Sequence, residues 1–194
     1  MVPKNVFRMN LDLARHYRMV PGDIIECGTW KGGMIGAIAK MIGGDKTYYL
    51  IDSFEGLPEA KDIDGKAAKE WQQDKKSKYY YDNCKADESD ARKAMSLSGV
   101  DNFIIVKGWF EEVLPDIKPK NGFSIIRLDG DWYDSTYVSL EHLFPLLNSG
   151  GIVIIDDYNA WEGCARAVHD YVSKNNIAIR IKEFHNKVTY IVKP

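Results

Sequence analysis

Two short apolar runs, Ser124-Ile125-Ile126-Arg127-Leu128 and Gly151-Ile152-Val153-Ile154-Ile155, each lead straight into aspartates. The first continues as Asp129-Gly130-Asp131-Trp132-Tyr133, the second as Asp156-Asp157-Tyr158. Runs of this length, rich in branched residues, read as strands of a parallel sheet buried on both faces. Between them, Tyr137 to Leu147 carries apolar residues at helical spacing, and Ser149-Gly150-Gly151 is expected to end that helix. Strand, helix and strand within about thirty residues make one βαβ crossover, which returns the chain parallel to its start. If the two strands are neighbours, their ends lie about 5 Å apart. Asp129, Asp156 and Asp157 then converge, and three carboxylates with oxygen-only character suit a hard divalent cation such as magnesium.

At 194 residues the chain fits one domain, 1–194, with room for a substantial core. A net charge of −2 gives no argument for nucleic acid or an anionic membrane surface as partner. No secretory signal and no apolar run long enough to cross a bilayer is evident. Cys27, Cys84 and Cys164 stand at unrelated spacings, so neither a disulfide framework nor a zinc site follows, and a cytoplasmic location is the default.

Along the chain, Asn5 to Met19 reads as a helix broken by Pro21-Gly22. Strands are expected over Asp23 to Cys27, Thr47 to Ile51 and Phe103 to Val106, with a helix over Met34 to Ile42 and another through Cys164 to Ser173. Asn176 to Ile181 and Lys187 to Val192 read as a terminal hairpin joined around Glu183 to Asn186. Strands alternating with helices predict a doubly wound α/β sheet. Residues 61–93, about half of them charged, interrupt the alternation. They read either as a solvated insertion or as a lid, because they follow a strand end where such sheets bind ligands. Trp71 and Tyr79-Tyr80-Tyr81 are unusual in so polar a stretch.

Glu26-Cys27-Gly28-Thr29-Trp30-Lys31-Gly32-Gly33 joins the first strand to a helix, and its glycines let the backbone turn sharply beside a ligand. Trp30 stands where a dinucleotide fingerprint needs its middle glycine, which argues against NAD. Asp52 ends the second strand, where an acidic side chain accepts hydrogen bonds from ribose hydroxyls; the bland reading is a turn aspartate beside Ser53. Together they favour a nucleoside-type ligand such as S-adenosylmethionine, with Trp109 or Phe110 on its adenine face or packed in the core.

The Glu26–Gly33 turn, Asp52-Ser53-Phe54-Glu55-Gly56-Leu57-Pro58, Lys107-Gly108-Trp109-Phe110, Leu128-Asp129-Gly130-Asp131-Trp132-Tyr133-Asp134-Ser135-Thr136 and Ile155-Asp156-Asp157-Tyr158 occur in one order. That set resembles the TylF/MycF (macrocin-type) sugar O-methyltransferases, which depend on S-adenosylmethionine and magnesium. The resemblance implies a class I methyltransferase, Rossmann-like sheet, mostly parallel with an antiparallel terminal hairpin strand. It implies Asp129, Asp156 and Asp157 as magnesium ligands, Asp129 also as general base, and Glu26, Gly28, Thr29, Trp30, Asp52, Ser53, Phe54, Gly108 and Trp109 around the cofactor. It also implies a homodimer, with the N-terminal helix as contact. The chain is shorter than typical members, and the parts in which they are longer shape the acceptor pocket.

The expected activity is methyl transfer to one hydroxyl of a sugar-type vicinal diol, free or part of a larger small-molecule or glycan acceptor. Two alternatives stand: a catechol-like phenolic acceptor, and a non-catalytic nucleoside-binding module. Gly130-Asp131-Trp132-Tyr133 offers no lysine base, which favours an acidic one, with Asp131 and Tyr133 behind Asp129. Asp131 reads first as a cap for the helix after it, and Asp134 as a first-turn acid. His16, His142, His169 and His185 read as surface or packing residues, although the loop of His185 could approach the site. Arg127 is either an ion-pair partner or an exposed strand residue.

Overall fold

The computed structural model describes residues 2–194. Seven strands form one sheet: β1 (Asp23–Cys27), β2 (Tyr48–Asp52), β3 (Phe103–Lys107), β4 (Phe123–Leu128), β5 (Leu147–Ile155), β6 (Ile181–Phe184) and β7 (Val188–Val192). Their spatial order is β3-β2-β1-β4-β5-β7-β6. The first five run parallel, and β7 pairs antiparallel with both β5 and β6. The chain winds outward from β1 to β3, then returns to start the other way at β4. The switch point of this doubly wound sheet therefore lies between β1 and β4.

β1 and β4 are buried along their whole length, which accounts for apolar runs without polar alternation. One face, through Ile24, Leu50, Ile125 and Ile154, packs under α1 (Lys4–His16) and α2 (Gly33–Ile42). The other, through Ile25, Cys27, Ile126 and Val153, packs under α6 (Tyr133–Leu143) and α7 (Glu162–Lys174). At about 25 cal/mol per Å², each fully buried branched side chain contributes about 1.5–3 kcal/mol, so these strand ends are held stiffly.

Several boundaries differ from expectation, each for a local reason. α6 spans Tyr133–Leu143, one turn earlier than its apolar spacing suggested, and Pro145 lies just beyond its end. Ser149-Gly150-Gly151 lies inside β5 instead of ending a helix. The ladder to β4 shifts register there, Gly150 takes φ +79°, and Lys193 bonds both glycines through its backbone. That is a bulge, which glycine accommodates and apolar periodicity does not reveal. β6 begins where the expected strand ended, because the left-handed pair His185 and Asn186 makes the hairpin turn.

Residues 61–93 do not break the alternation. Their last part belongs to α4 (Glu88–Ser98), the crossover helix between β2 and β3, capped by Asp87 Oδ1 accepting from Ser89 N at 2.8 Å. α4 lies close on α2, where Gly32 and Gly36 face Ala91 and Ala94. The earlier part holds α3 (Lys66–Gln73), anchored through buried Asp64. Asp64 Oδ1 accepts from Tyr133 N at 2.7 Å and Oδ2 from Lys61 N at 2.7 Å, which fastens the base of the segment to the start of α6. Among the described residues no helix is long and apolar enough to cross a membrane.

Candidate active site at the sheet switch point

Register places the acidic cluster. Cys27, Leu128 and Ile155 are paired across β1, β4 and β5, so Gly28, Asp129 and Asp156 follow side by side just past three strand ends. Backbone bonds carry the ladder one step further: Asp129 N to Cys27 O and Asp156 N to Leu128 O, both 2.9 Å. One oxygen each from Asp129, Asp156 and Asp157 then lies within 4.8 Å of the others. Gly28, at φ +86°, passes so near β4 that a Cβ there would overlap the Asp129 carbonyl.

The same register explains Arg127. Side chains alternate along a strand, and register partners on parallel neighbours point to the same face. Glu26, Arg127 and Ile154 are partners, so Glu26, Arg127, Asp129 and Asp156 all project toward the face under α1. Arg127 is only 1% exposed. Its Nη1 donates to Glu26 Oε1 at 2.8 Å and to Asp129 Oδ2 at 2.6 Å, and Nη2 pairs with Asp156 Oδ1 at 2.6 Å. It is an ion-pair partner, and of three carboxylates.

Burial is the first cause of the shifted protonation ranges here. It raises Glu26 to about 8, against the pull of Arg127. It raises Asp156, again opposed by Arg127, and raises Asp157, where Asp131 and Asp129 add repulsion. Asp131 is pushed up to about 7 by burial and then by Asp129. A cluster this costly to ionise in the bare protein suits a cation. The donors fit one: Asp129 Oδ1, Asp156 Oδ2 and Asp157 Oδ1 accept no hydrogen bond among the described residues, while the other oxygen of each is engaged.

A cavity of about 990 Å³ opens over this cluster. Of the residues singled out in the sequence, Glu26, Gly28, Thr29, Trp30, Asp52, Ser53, Gly108, Trp109, Asp129, Asp156 and Asp157 line it. Phe54 does not; its side chain is buried in the core at φ +57°. The Thr29 hydroxyl turns inward to the carbonyls of Glu26 and Ile51. Asp52 makes the turn contacts of the bland reading, accepting from Phe54 N at 2.7 Å, and it also pins the glycine turn by accepting from Trp30 N at 2.6 Å. Asp131 caps nothing: its Oδ1 accepts from Trp161 Nε1 at 2.7 Å, and Trp132 is the residue before α6. The Tyr133 hydroxyl donates to Asp170 Oδ2 and lies off the cavity. His185 does not line the cavity either.

The far wall is aromatic and was only hinted at by Trp71. Trp71 from α3, Trp132 and Trp161 meet edge-to-face, with ring centroids 5.3–6.1 Å apart. The buried Trp132 keeps its hydrogen bond, Nε1 donating to Pro58 O, and the half-buried Trp71 donates Nε1 to Tyr79 O.

A sheet in this order, with an acidic cluster and a glycine turn at its switch point, has the architecture of the class I methyltransferases. The solved O-methyltransferase NovP superposes with a TM-score of 0.77 at 29% identity, over 95% of this chain and 79% of that one. The calicheamicin methyltransferase CalS11, at 20% identity and a TM-score of 0.72 over 97% and 79% of the two chains, shares the fold. The profile described as Macrocin-O-methyltransferase (TylF) matches residues 12–193, and the chain belongs to that family. Curated relatives include a tetracenomycin-type rhamnosyl 4'-O-methyltransferase of Streptomyces olivaceus, 37% identical over 84% of this chain and 63% of its own length. Mycinamicin III 3''-O-methyltransferase of Micromonospora griseorubida is 31% identical over 88% and 68%. The chain thus spans about three fifths to two thirds of the length of these relatives.

Proposed function

We propose that this chain transfers a methyl group from S-adenosylmethionine to one hydroxyl of a sugar-type vicinal diol, with magnesium at Asp129, Asp156 and Asp157. The observation that carries the reading is the convergence of Asp129, Asp156 and Asp157 beside the glycine turn, one oxygen of each within 4.8 Å of the others and one oxygen of each accepting no hydrogen bond among the described residues. The cofactor supplies an electrophilic methyl group, and magnesium supplies Lewis-acid activation and a template for adjacent oxygens. The chain's residues do the rest. Asp52 orients the ribose, Glu26 accepts from the cofactor's amino group through its unpartnered Oε2, and Trp109 packs on the adenine. With the cofactor held there, Asp129 would take the acceptor's hydroxyl proton as the methyl group passes from sulfur, which keeps the bonding pair, to the acceptor oxygen.

Sugar-type acceptors are favoured by the relatives' names and by the wall of Trp71, Tyr79 and Tyr137, whose faces suit the apolar side of a sugar ring. The stretch carrying α3 acts as a cover over that half of the cavity. Calorimetric titration of S-adenosylhomocysteine and then magnesium into the wild type and Asp129→Asn tests the scheme. Binding of both by the wild type, with magnesium affinity lost in the variant, is expected; cofactor binding with no metal response in the presence of a diol would refute the metal role. A panel of sugars and catechols separates the two acceptor classes.

A further inference from the structure

Arg127 has no part in the chemistry just described, yet it lies buried directly beneath the acidic cluster. Its guanidinium reaches carboxylates from three strand ends: Glu26 on β1, Asp129 after β4 and Asp156 after β5. Glu26 belongs to the cofactor half of the cavity and the two aspartates to the cation half. Each aspartate gives one oxygen to Arg127 and keeps the other free, so the guanidinium fixes which oxygen faces the cavity. α1 closes the space behind: Asn10 is fully buried, and its Oδ1 lies 3.5 Å from Arg127 Nε.

We propose that Arg127 is a positioning residue that couples the two halves of the cavity, aiming Asp129 and Asp156 at the cation while tying both to Glu26 on the cofactor side. This rests on the reading of the cavity as a joint cofactor and magnesium site. Whichever ligand binds first fixes the shared guanidinium, and the second then meets carboxylates already placed. Coupling of this kind is reciprocal: the factor by which magnesium tightens cofactor binding equals the factor by which cofactor tightens magnesium binding. The planar fork is essential to it. A lysine brings the same charge on one nitrogen and cannot hold Glu26, Asp129 and Asp156 in fixed relative positions.

The experiment is a calorimetric cycle, S-adenosylhomocysteine with and without magnesium and magnesium with and without S-adenosylhomocysteine, on wild type, Arg127→Lys and Glu26→Gln. Melting curves check that each variant is folded. In the wild type the two coupling factors should agree at about fivefold or more. In Arg127→Lys they should fall to near one, with magnesium affinity down about tenfold although no metal ligand has changed. Glu26→Gln removes the third anchor with little change of shape, and it keeps the test open should Arg127→Lys fail to fold; its coupling should also fall toward one. A folded Arg127→Lys with wild-type magnesium affinity and undiminished coupling overturns the inference alone. A wild type that binds S-adenosylhomocysteine but never magnesium overturns the underlying reading, and this inference with it.

Discussion

Single residues set how near the cofactor loop comes to the acidic cluster, and Gly28 is the tightest of them. Its left-handed φ and its approach to the Asp129 carbonyl both exclude a Cβ. Gly28→Ala should therefore displace the start of the glycine turn or the Asp129 backbone. Either shift spoils two sites at once, so S-adenosylhomocysteine affinity should fall by at least about tenfold, since even small misplacement is costly in a built site. The unfolding midpoint should drop as well, by the few kcal/mol that backbone strain and a core clash impose. Gly44, where a Cβ meets nothing within 4 Å and which does not line the cavity, is the control, and Gly44→Ala should bind as the wild type does. Equal behaviour of the two variants, measured by calorimetry and thermal melting, would count against this account of the loop. The aspartates were legible at this scale because a strand end followed by acids is a local signal. Arg127 was not, since a charge in a strand is buried or exposed according to which helix lies over its face, and only register against β1 and β5 decides that.

At the level of elements, β1, β4 and β5 could be read because both their faces are covered and their apolar runs are unbroken. α4 could not be read apart from the charged stretch before it, since only Ala91 and Met95 of its residues are buried. The bulge in β5 and the hairpin turn depend on backbone conformation, to which apolar periodicity is blind. What holds α3 over the cavity is a matter of a few contacts at its base. Asp64 accepts two backbone hydrogen bonds there, one of them from the first residue of α6. Its loss in Asp64→Ala leaves a helix N-terminus and a turn uncapped, costing about 1–2 kcal/mol. The expected result is a melting midpoint lowered by a few degrees, with early proteolysis between residues 66 and 80. Lys61→Ala removes only the exposed pair with Asp134, which solvent screens, and should leave the melting midpoint near that of the wild type. Were the two variants to show the same protease resistance, Asp64 would not be the anchor.

The molecule as a whole is nearly neutral, yet its charge is unevenly placed. Among the described residues ten acidic side chains line the cavity; Arg127 beneath it pairs with Glu26, Asp129 and Asp156, and Lys61 pairs with Asp134 at 2.5 Å, which leaves Glu59 and Glu111 at the rim without a paired base. The divalent ion and sulfonium cofactor of the proposed scheme would sit at the strand ends and leave that rim acidic. Low-dielectric walls focus such a field, so the rim repels anions before they reach the strand ends. A phosphorylated or nucleotide-linked sugar would meet Glu59 and Glu111 with no unpaired basic side chain among the described lining residues to receive it, whereas a neutral glycoside or an amino sugar would not be opposed. In saturation-transfer NMR with S-adenosylhomocysteine and magnesium present, a methyl glycoside and its amino-sugar counterpart should bind at least about tenfold tighter than the matching sugar phosphate. That gap should narrow in 0.5 M salt, where screening falls to about 4 Å. It should narrow also in Glu111→Lys, which alters the rim without touching the carboxylates over the strand ends. A sugar phosphate that binds as well as its neutral counterpart at low salt would mean that the field at the rim does not select the acceptor.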